Sequence, residues 1–284
     1  MSAPAFPPGW YPALRLTRLR RAPAQVRLAG TPLFARRSPC GTPQLKDAVT
    51  GADWPCAPWA GYLYAAVGKT AGPFTPPPPL LPHPHTAVHV YGEVCARLAD
   101  IAENILDTTH TSVVHQGYLR DAANRKSVEA QIEFRHGRIT ATYPPGAAPG
   151  GWGARLLGAH RYTIRDSFCT PAIAEVSYTE DTRPVFSARF SLTPRSDTET
   201  FIAGTVAVPG SGPLAVLKLA ALRLFFLRIF AEDRAILELI SANRAQHGGA
   251  PLVYAPQDLL RPGIDAILDG RAAPTARACV SLKV

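Results

Sequence analysis

Between Val128 and Val208 apolar and polar residues alternate, the period of a strand with one buried face. The alternation predicts strands at Val128–Phe134, Arg138–Tyr143, His160–Phe168, Ala172–Tyr178, Val185–Thr193 and Thr198–Val208. Turn residues separate them, with Pro144-Pro145-Gly146 and Pro194-Arg195-Ser196-Asp197 the clearest. Such a succession predicts an antiparallel sheet. Upstream, His89–Val94 has strand character, and Gln25–Arg36 reads as two short strands around a Gly30-Thr31-Pro32 turn.

Two regions follow the helical period instead. Residues 97–115 place Leu98, Ile101 and Ile105 on one face, with Val113 and Val114 near the end. Leu214–Ala245 is a longer candidate, with Pro213 suited to its first turn. In the tail, Gln257–Leu260 and Ile264–Leu268 read as short helices. Pro73, Pro76–Pro79, Pro82 and Pro84 mark a stiff connector. The composition shift divides the chain into residues 1–75, a linker at 76–85 and residues 86–284. His83 and His85 in the linker read as surface residues.

Composition narrows the function classes. The 284 residues are 46% hydrophobic, enough for a sizeable core. Lys218, Arg223 and Arg228 interrupt the longest apolar run, Leu214–Phe230, so no membrane span is expected. Met1–Pro8 lacks the apolar core of a secretory leader, and five scattered cysteines fit a reducing compartment. A cytoplasmic protein is the expectation. Net charge is +9, and residues 1–50 hold eight of the cations against Asp47 alone. No aromatic-interleaved basic motif accompanies them, so nucleic acid is not the expected partner. A solvated face is the first reading, and a docking face for an acidic electron carrier the second.

The chemistry concentrates between Glu103 and Gly117. Asp107, His110 and His115 stand there on an apolar background. Two imidazoles and a carboxylate suit a first-row transition metal, and Asp107 can fix the tautomer of His110. The alternative is two unrelated histidines on a core helix. On a regular helix His110 and His115 lie about 140° apart, so they converge only if the helix ends or widens between them. In the late helix, Asp233 shares a stripe with Leu222, Phe226, Ile229 and Leu237. A carboxylate there is costly unless it meets a cation, either a metal or an arginine such as Arg223. Glu232 has Arg228 four residues before it and reads as a surface pair.

The first of these stretches resembles the mononuclear-iron motif of the Rieske non-haem oxygenases, Asn-x-x-Asp-x-x-His-x-x-x-x-His-x-Gly. Asn104, Asp107, His110, His115 and Gly117 fill every fixed position. The resemblance implies an α+β protein: a small mostly-β Rieske-like domain, then a helix-grip catalytic domain with an antiparallel sheet and a long C-terminal helix. It implies His110, His115 and Asp233 as ligands of a mononuclear Fe(II), with Glu232-Asp233 matching the family's late acidic pair. Asn104 and Asp107 become catalytic positions, Asp107 as the electron bridge.

The first domain also resembles this family, in Gly9-Trp10-Tyr11-Pro12 and the strands after it, but departs at one point. A Rieske cluster takes two cysteines and two histidines, as Cys-x-His and Cys-x-x-His. Here Cys40-Gly41-Thr42 and Cys56-Ala57-Pro58-Trp59 keep the cysteines and lose both histidines. No [2Fe-2S] cluster of its own is expected. Trp54, Trp59, Tyr62 and Tyr64 are candidates to fill the space, and a two-cysteine zinc site is a lesser option. The resemblance then implies a terminal oxygenase that hydroxylates or oxidatively demethylates an apolar or aromatic small molecule with O₂. Electrons would come from a separate Rieske or ferredoxin-type partner, and assembly would be trimeric. The alternative is a redox-inactive accessory or ligand-binding subunit.

Overall fold

The computed structural model describes residues 6–68, 71–117, 119, 125–145, 162–249, 253–271 and 276–283. The first seven strands form two small sheets. β1 (Gly9–Arg15), β7 (Tyr62–Val67) and β6 (Cys56–Trp59) make one, in that order. β2 (Ala24–Leu28), β3 (Thr31–Arg37), β4 (Pro43–Asp47) and β5 (Asp53–Trp54) make the other. The expected hairpin in Gln25–Arg36 forms, but Ala29 and Gly30 make its turn, both at positive φ.

The remaining strands build one antiparallel sheet in the order β15-β9-β10-β11-β12-β13-β14-β8. Its members are β8 (His85–Val94), β9 (Ser127–Arg135), β10 (Arg138–Tyr143), β11 (Thr163–Cys169), β12 (Ile173–Glu180), β13 (Arg183–Ser196), β14 (Glu199–Pro209) and β15 (Ala276–Lys283). β9 shows why the alternation was readable: Ala130 and Phe134 are buried while Ser127, Glu129, Gln131 and Arg135 face solvent. β15 was not anticipated. It closes the sheet edge against β9, pairing Ala276 with Phe134 and Lys283 with Ser127. His160, expected to open a strand, lies outside the described residues.

Among the described residues, three helices pack on the large sheet. α1 (Leu98–Leu106) lies against β11, β12 and β13 with Leu98, Ile101, Ala102 and Leu106 buried. α2 (Pro213–Gln246) runs against β8 and β14. α3 (Arg261–Leu268) packs on α1, β10 and β11. Gln257–Leu260, read as a short helix, is not helical. Arg261 is 3% exposed and pairs with Asp100, Glu103 and Asp265, which fastens α3 to α1.

The expected helix over residues 97–115 stops at Leu106. Asp107 adopts an extended conformation, φ −80° and ψ 111°. Its Oδ1 accepts the Thr109 N–H and hydroxyl, each at 2.7 Å, and its Oδ2 accepts the His110 N–H at 3.1 Å. A side chain that takes these donors offers the backbone an alternative to the helical ladder. The chain turns, and His110–Ser112 forms one 3-10 turn.

The small sheets are tied to the large one by its own side chains. Arg195, 4% exposed at the end of β13, donates to the Arg27 and Ala13 carbonyls, both at 2.7 Å. The Thr193 hydroxyl donates to the Pro12 carbonyl at 2.8 Å, and the Ala29 N–H to the Pro194 carbonyl at 2.8 Å. The proline-rich segment lies against the surface. Arg189 donates to the Pro78 carbonyl at 2.8 Å, and Phe74 packs on Trp10 and Tyr64.

Candidate metal centre

His110, His115 and Asp233 come together although 123 positions separate the first from the last. The chain reversal at Asp107 sets His110 in the 3-10 turn and His115 just beyond it. No π-bulge is involved. The rings stand 5.2 Å apart at 75°. α2 delivers Asp233 from the other side. One ligand atom from each residue lies within 4.8 Å of the other two, and they are the one such group among the described residues.

Asp233 Oδ1 is 3.0 Å from His115 Nε2 and 3.5 Å from His110 Nε2. These pairs are close but do not hydrogen-bond. His110 Nδ1 and Nε2 and His115 Nε2 are buried with no partner of bonding geometry. Buried polar atoms are normally satisfied, so the two Nε2 atoms that converge on the Asp233 carboxylate suit a cation held between them. Asp233 meets these imidazoles rather than Arg223.

Burial disfavours a charged His110, but Asp107 and Asp233 outweigh it and push the imidazole up to about 9. Burial would raise Asp233, yet His110 and His115 hold it below the ordinary carboxylate range. The same balance lowers Asp107, where burial is outweighed by His110 and Thr109.

The surrounding contacts depart from expectation in two places. Asp107 Oδ2 lies 3.6 Å from His110 Nδ1, too far for a hydrogen bond. Asp107 shapes the turn through backbone N–H groups instead. Glu232, read as a surface partner of Arg228, does make that contact at 2.8 Å. Its other oxygen accepts from His115 Nδ1 at 3.0 Å. A carboxylate there fixes the tautomer and leaves Nε2 free to bind a metal. Arg228 supplied a sufficient partner in the sequence, so nothing there pointed to His115. Asn104 Nδ2 approaches Asp233 Oδ1 at 3.4 Å and orients it weakly.

The donor group opens on a cavity of about 160 Å³ between α1, α2 and the sheet. Ile101, Val176, Phe186, Phe190, Phe226 and Phe230 give it an apolar wall, with Phe186 and Phe226 stacked 5.6 Å apart. Asp166 on β11, 2% exposed, also lines it and was not singled out from the sequence. A separate depression lined by Asp107, Thr109, His110, Val113 and Arg125 reaches the donors from the surface.

Thr42, expected at a cluster-histidine position, lies just before β4, and Trp59, expected at the other, ends β6. The Cys40 Sγ lies 2.9 Å from the Ser38 hydroxyl and 3.4 Å from that of Thr42, contacts that hold the thiol down to about 7. Trp59 packs edge-on against Tyr64 at 5.9 Å, and Tyr62 and Tyr64 are buried. Trp54 donates its indole N–H to the Ala66 carbonyl at 2.8 Å.

Comparison with known proteins agrees with this architecture. Dicamba monooxygenase bound to dicamba superposes with a TM-score of 0.73 at 16% identity, over 95% of this chain and 97% of its own. NdmA of Pseudomonas putida CBB5 with caffeine gives 0.64 at 14% identity, over 90% and 88%. The terminal oxygenase of carbazole 1,9a-dioxygenase from Nocardioides aromaticivorans IC177 gives 0.60 at 12%, over 95% and 96%. At these identities the likeness speaks for the fold. No curated protein sequence matches the chain. The profile of the vanillate O-demethylase oxygenase C-terminal domain matches residues 94–266, a stretch that contains all three donors. That span exceeds half of the chain, which therefore belongs to the vanillate O-demethylase oxygenase family of Rieske-type non-haem iron oxygenases.

Proposed function

We propose that the chain is a terminal oxygenase component that hydroxylates or oxidatively demethylates an apolar or aromatic small molecule. The observation that carries this reading is the convergence of His110, His115 and Asp233, the second buried and the other two half-buried, on one apolar cavity. This donor set fits a mononuclear Fe(II), and three protein ligands leave positions for O₂ and substrate. When bound, Fe(II) supplies the activation of O₂ for insertion into a C–H bond.

The protein side of the chemistry follows from the contacts. Glu232 holds the His115 ring, and Asn104 steadies Asp233. The phenylalanines of the cavity wall exclude water and present the substrate to the donors. Asp107 and His110 both line the outer depression, where an electron donor can approach. Thr42 and Trp59 offer no imidazole, so residues 1–75 serve as a Rieske-like lobe without a cluster. Electrons then come from a separate Rieske or ferredoxin-type protein. Family likeness supports a trimeric assembly, and the composition supports a cytoplasmic one.

Iron and acid-labile sulfide, measured on anaerobically purified protein beside His110→Ala, test this reading. About one iron per chain, no sulfide and iron loss in the variant are expected. Negligible iron after reconstitution would leave the chain an accessory subunit. Sulfide with additional iron would mean that the lobe builds a cluster after all.

A further inference from the structure

The first half of α2 has two apolar faces. Leu219, Leu222 and Phe225 turn into the protein. Leu214, Leu217, Leu224 and Leu227 are 81%, 69%, 70% and 44% exposed. At 100° per residue these four lie within about 140° of arc, on the side away from the core. No described residue covers that face. Patches of contiguous exposed leucine mark a partner or a membrane.

Charge chooses between these occupants. From Pro213 to Phe230 the helix carries Lys218, Arg223 and Arg228, the last paired with Glu232, and no acid. Lys218 and Arg223 border the leucines on opposite edges of the helical wheel. On β8, against which the helix packs, Tyr91 carries Arg15 over its ring at 3.8 Å, and Arg18 and Arg21 line the same groove with Glu93. Two copies of this face laid together about a two-fold axis would set cation against cation, and in a trimer the face would meet a different patch. An anionic bilayer accommodates both features: its acyl boundary takes the leucines and its headgroups take the cations. No helix of the described residues is long and apolar enough to cross a membrane, so α2 would lie in the interfacial plane.

The face also leads inward. Leu227 is exposed, yet it lines the cavity together with Phe226 and Phe230, and Tyr91 lines both the cavity and the cationic groove. We propose that α2 docks the protein on an anionic lipid surface through Leu214, Leu217 and Leu224, with the cavity mouth at Leu227 turned toward the acyl layer. An apolar substrate then enters from the bilayer. The docking stands on the helix and its charges; the route of the substrate rests on the oxygenase reading.

The test is flotation of the full chain, metal-free and iron-loaded, with vesicles of phosphatidylcholine containing about a third phosphatidylglycerol. Both forms should float, and pure phosphatidylcholine should carry about tenfold less. The Leu217→Ser/Leu224→Ser double variant should bind at least about tenfold more weakly with an unchanged circular dichroism spectrum. As a second probe, the indole introduced by Leu224→Trp should be quenched by brominated lipid. Docking is overturned if the wild type stays unbound with anionic vesicles, if the double variant floats equally well, or if the new indole is not quenched. It is also overturned if the wild type never floats and the double variant lowers the oligomeric state, because the leucines then cover a second copy. A protein that floats but binds no iron keeps the docking and loses the substrate route, which separates the two failures.

Discussion

His115 and Glu232 meet at 3.0 Å, one from the turn after α1 and the other from the middle of α2. Glu232 is the neighbour of Asp233, so one helical step supplies both a donor and the group that orients another donor. His115 is 1% exposed, and its Nδ1 has this carboxylate as acceptor. The contact makes the geometry of the centre depend on a residue that need not touch the metal.

Glu232→Ala should therefore lower Fe(II) affinity about 10- to 100-fold while leaving His110, His115 and Asp233 in place. Metal titration of the apoprotein reads this directly, and the metal-free melting temperature should change little. Wild-type affinity in the variant would show that the His115 ring is positioned by packing alone.

Asp107→Asn keeps an oxygen to accept the Thr109 N–H and gives up the longer 3.1 Å contact to the His110 N–H. Iron content should be preserved, while turnover with a separate electron donor should fall about 10- to 100-fold. Loss of iron together with turnover would assign Asp107 to building the site instead of coupling it.

Glu175 joins Arg138 and Arg189 on the sheet at 2.8 and 2.7 Å. Burial opposes its ionisation, but the two guanidinium groups outweigh that and hold its carboxyl below the ordinary range. A depressed carboxyl contributes stability above its unfolded pKa, and that contribution is lost as pH falls through the folded value. Glu175→Gln should cost about 1–2 kcal/mol at pH 7. The gap to wild type should close below about pH 4 in denaturant unfolding. A gap independent of pH would mean that shape, and not charge, matters there.

Arg261 is buried among Asp100, Glu103 and Asp265. Arg261→Met should destabilise the fold by about 3–5 kcal/mol, because it leaves carboxylates behind without their cation. Glu103 precedes Asn104 on α1, so metal affinity should weaken as well. Chemical denaturation followed by metal titration checks both.

The sheet was legible because its strands bury one face each. Arg138–Tyr143 was bounded to the residue, and Asp233 was found because a carboxylate on an apolar stripe demands a partner. Three features were hidden for physical reasons. The helical period continues through residues 107–115, but the Asp107 carboxylate captures the N–H groups that would extend the helix. β15 alternates Ala276, Ala278, Val280 and Leu282 with Arg277, Cys279, Ser281 and Lys283, but among its described side chains only Leu282 is buried, and its pairing with β9 comes from a tertiary edge. Glu232 had a sufficient local partner in Arg228, which concealed its distant one.

Arg195 gives the small sheets a structural value separate from electron transfer. Its guanidinium belongs to the catalytic sheet, yet its acceptors are the carbonyls of Ala13 and Arg27. A gene deletion that removed the first strands would strip this cation of both carbonyl acceptors and leave it Glu93 at 3.5 Å. A lobe of this kind has a value that needs no redox centre, because natural selection against misfolding retains it as a brace. A cut at the proline-rich segment should accordingly yield an insoluble catalytic fragment, not a smaller working enzyme.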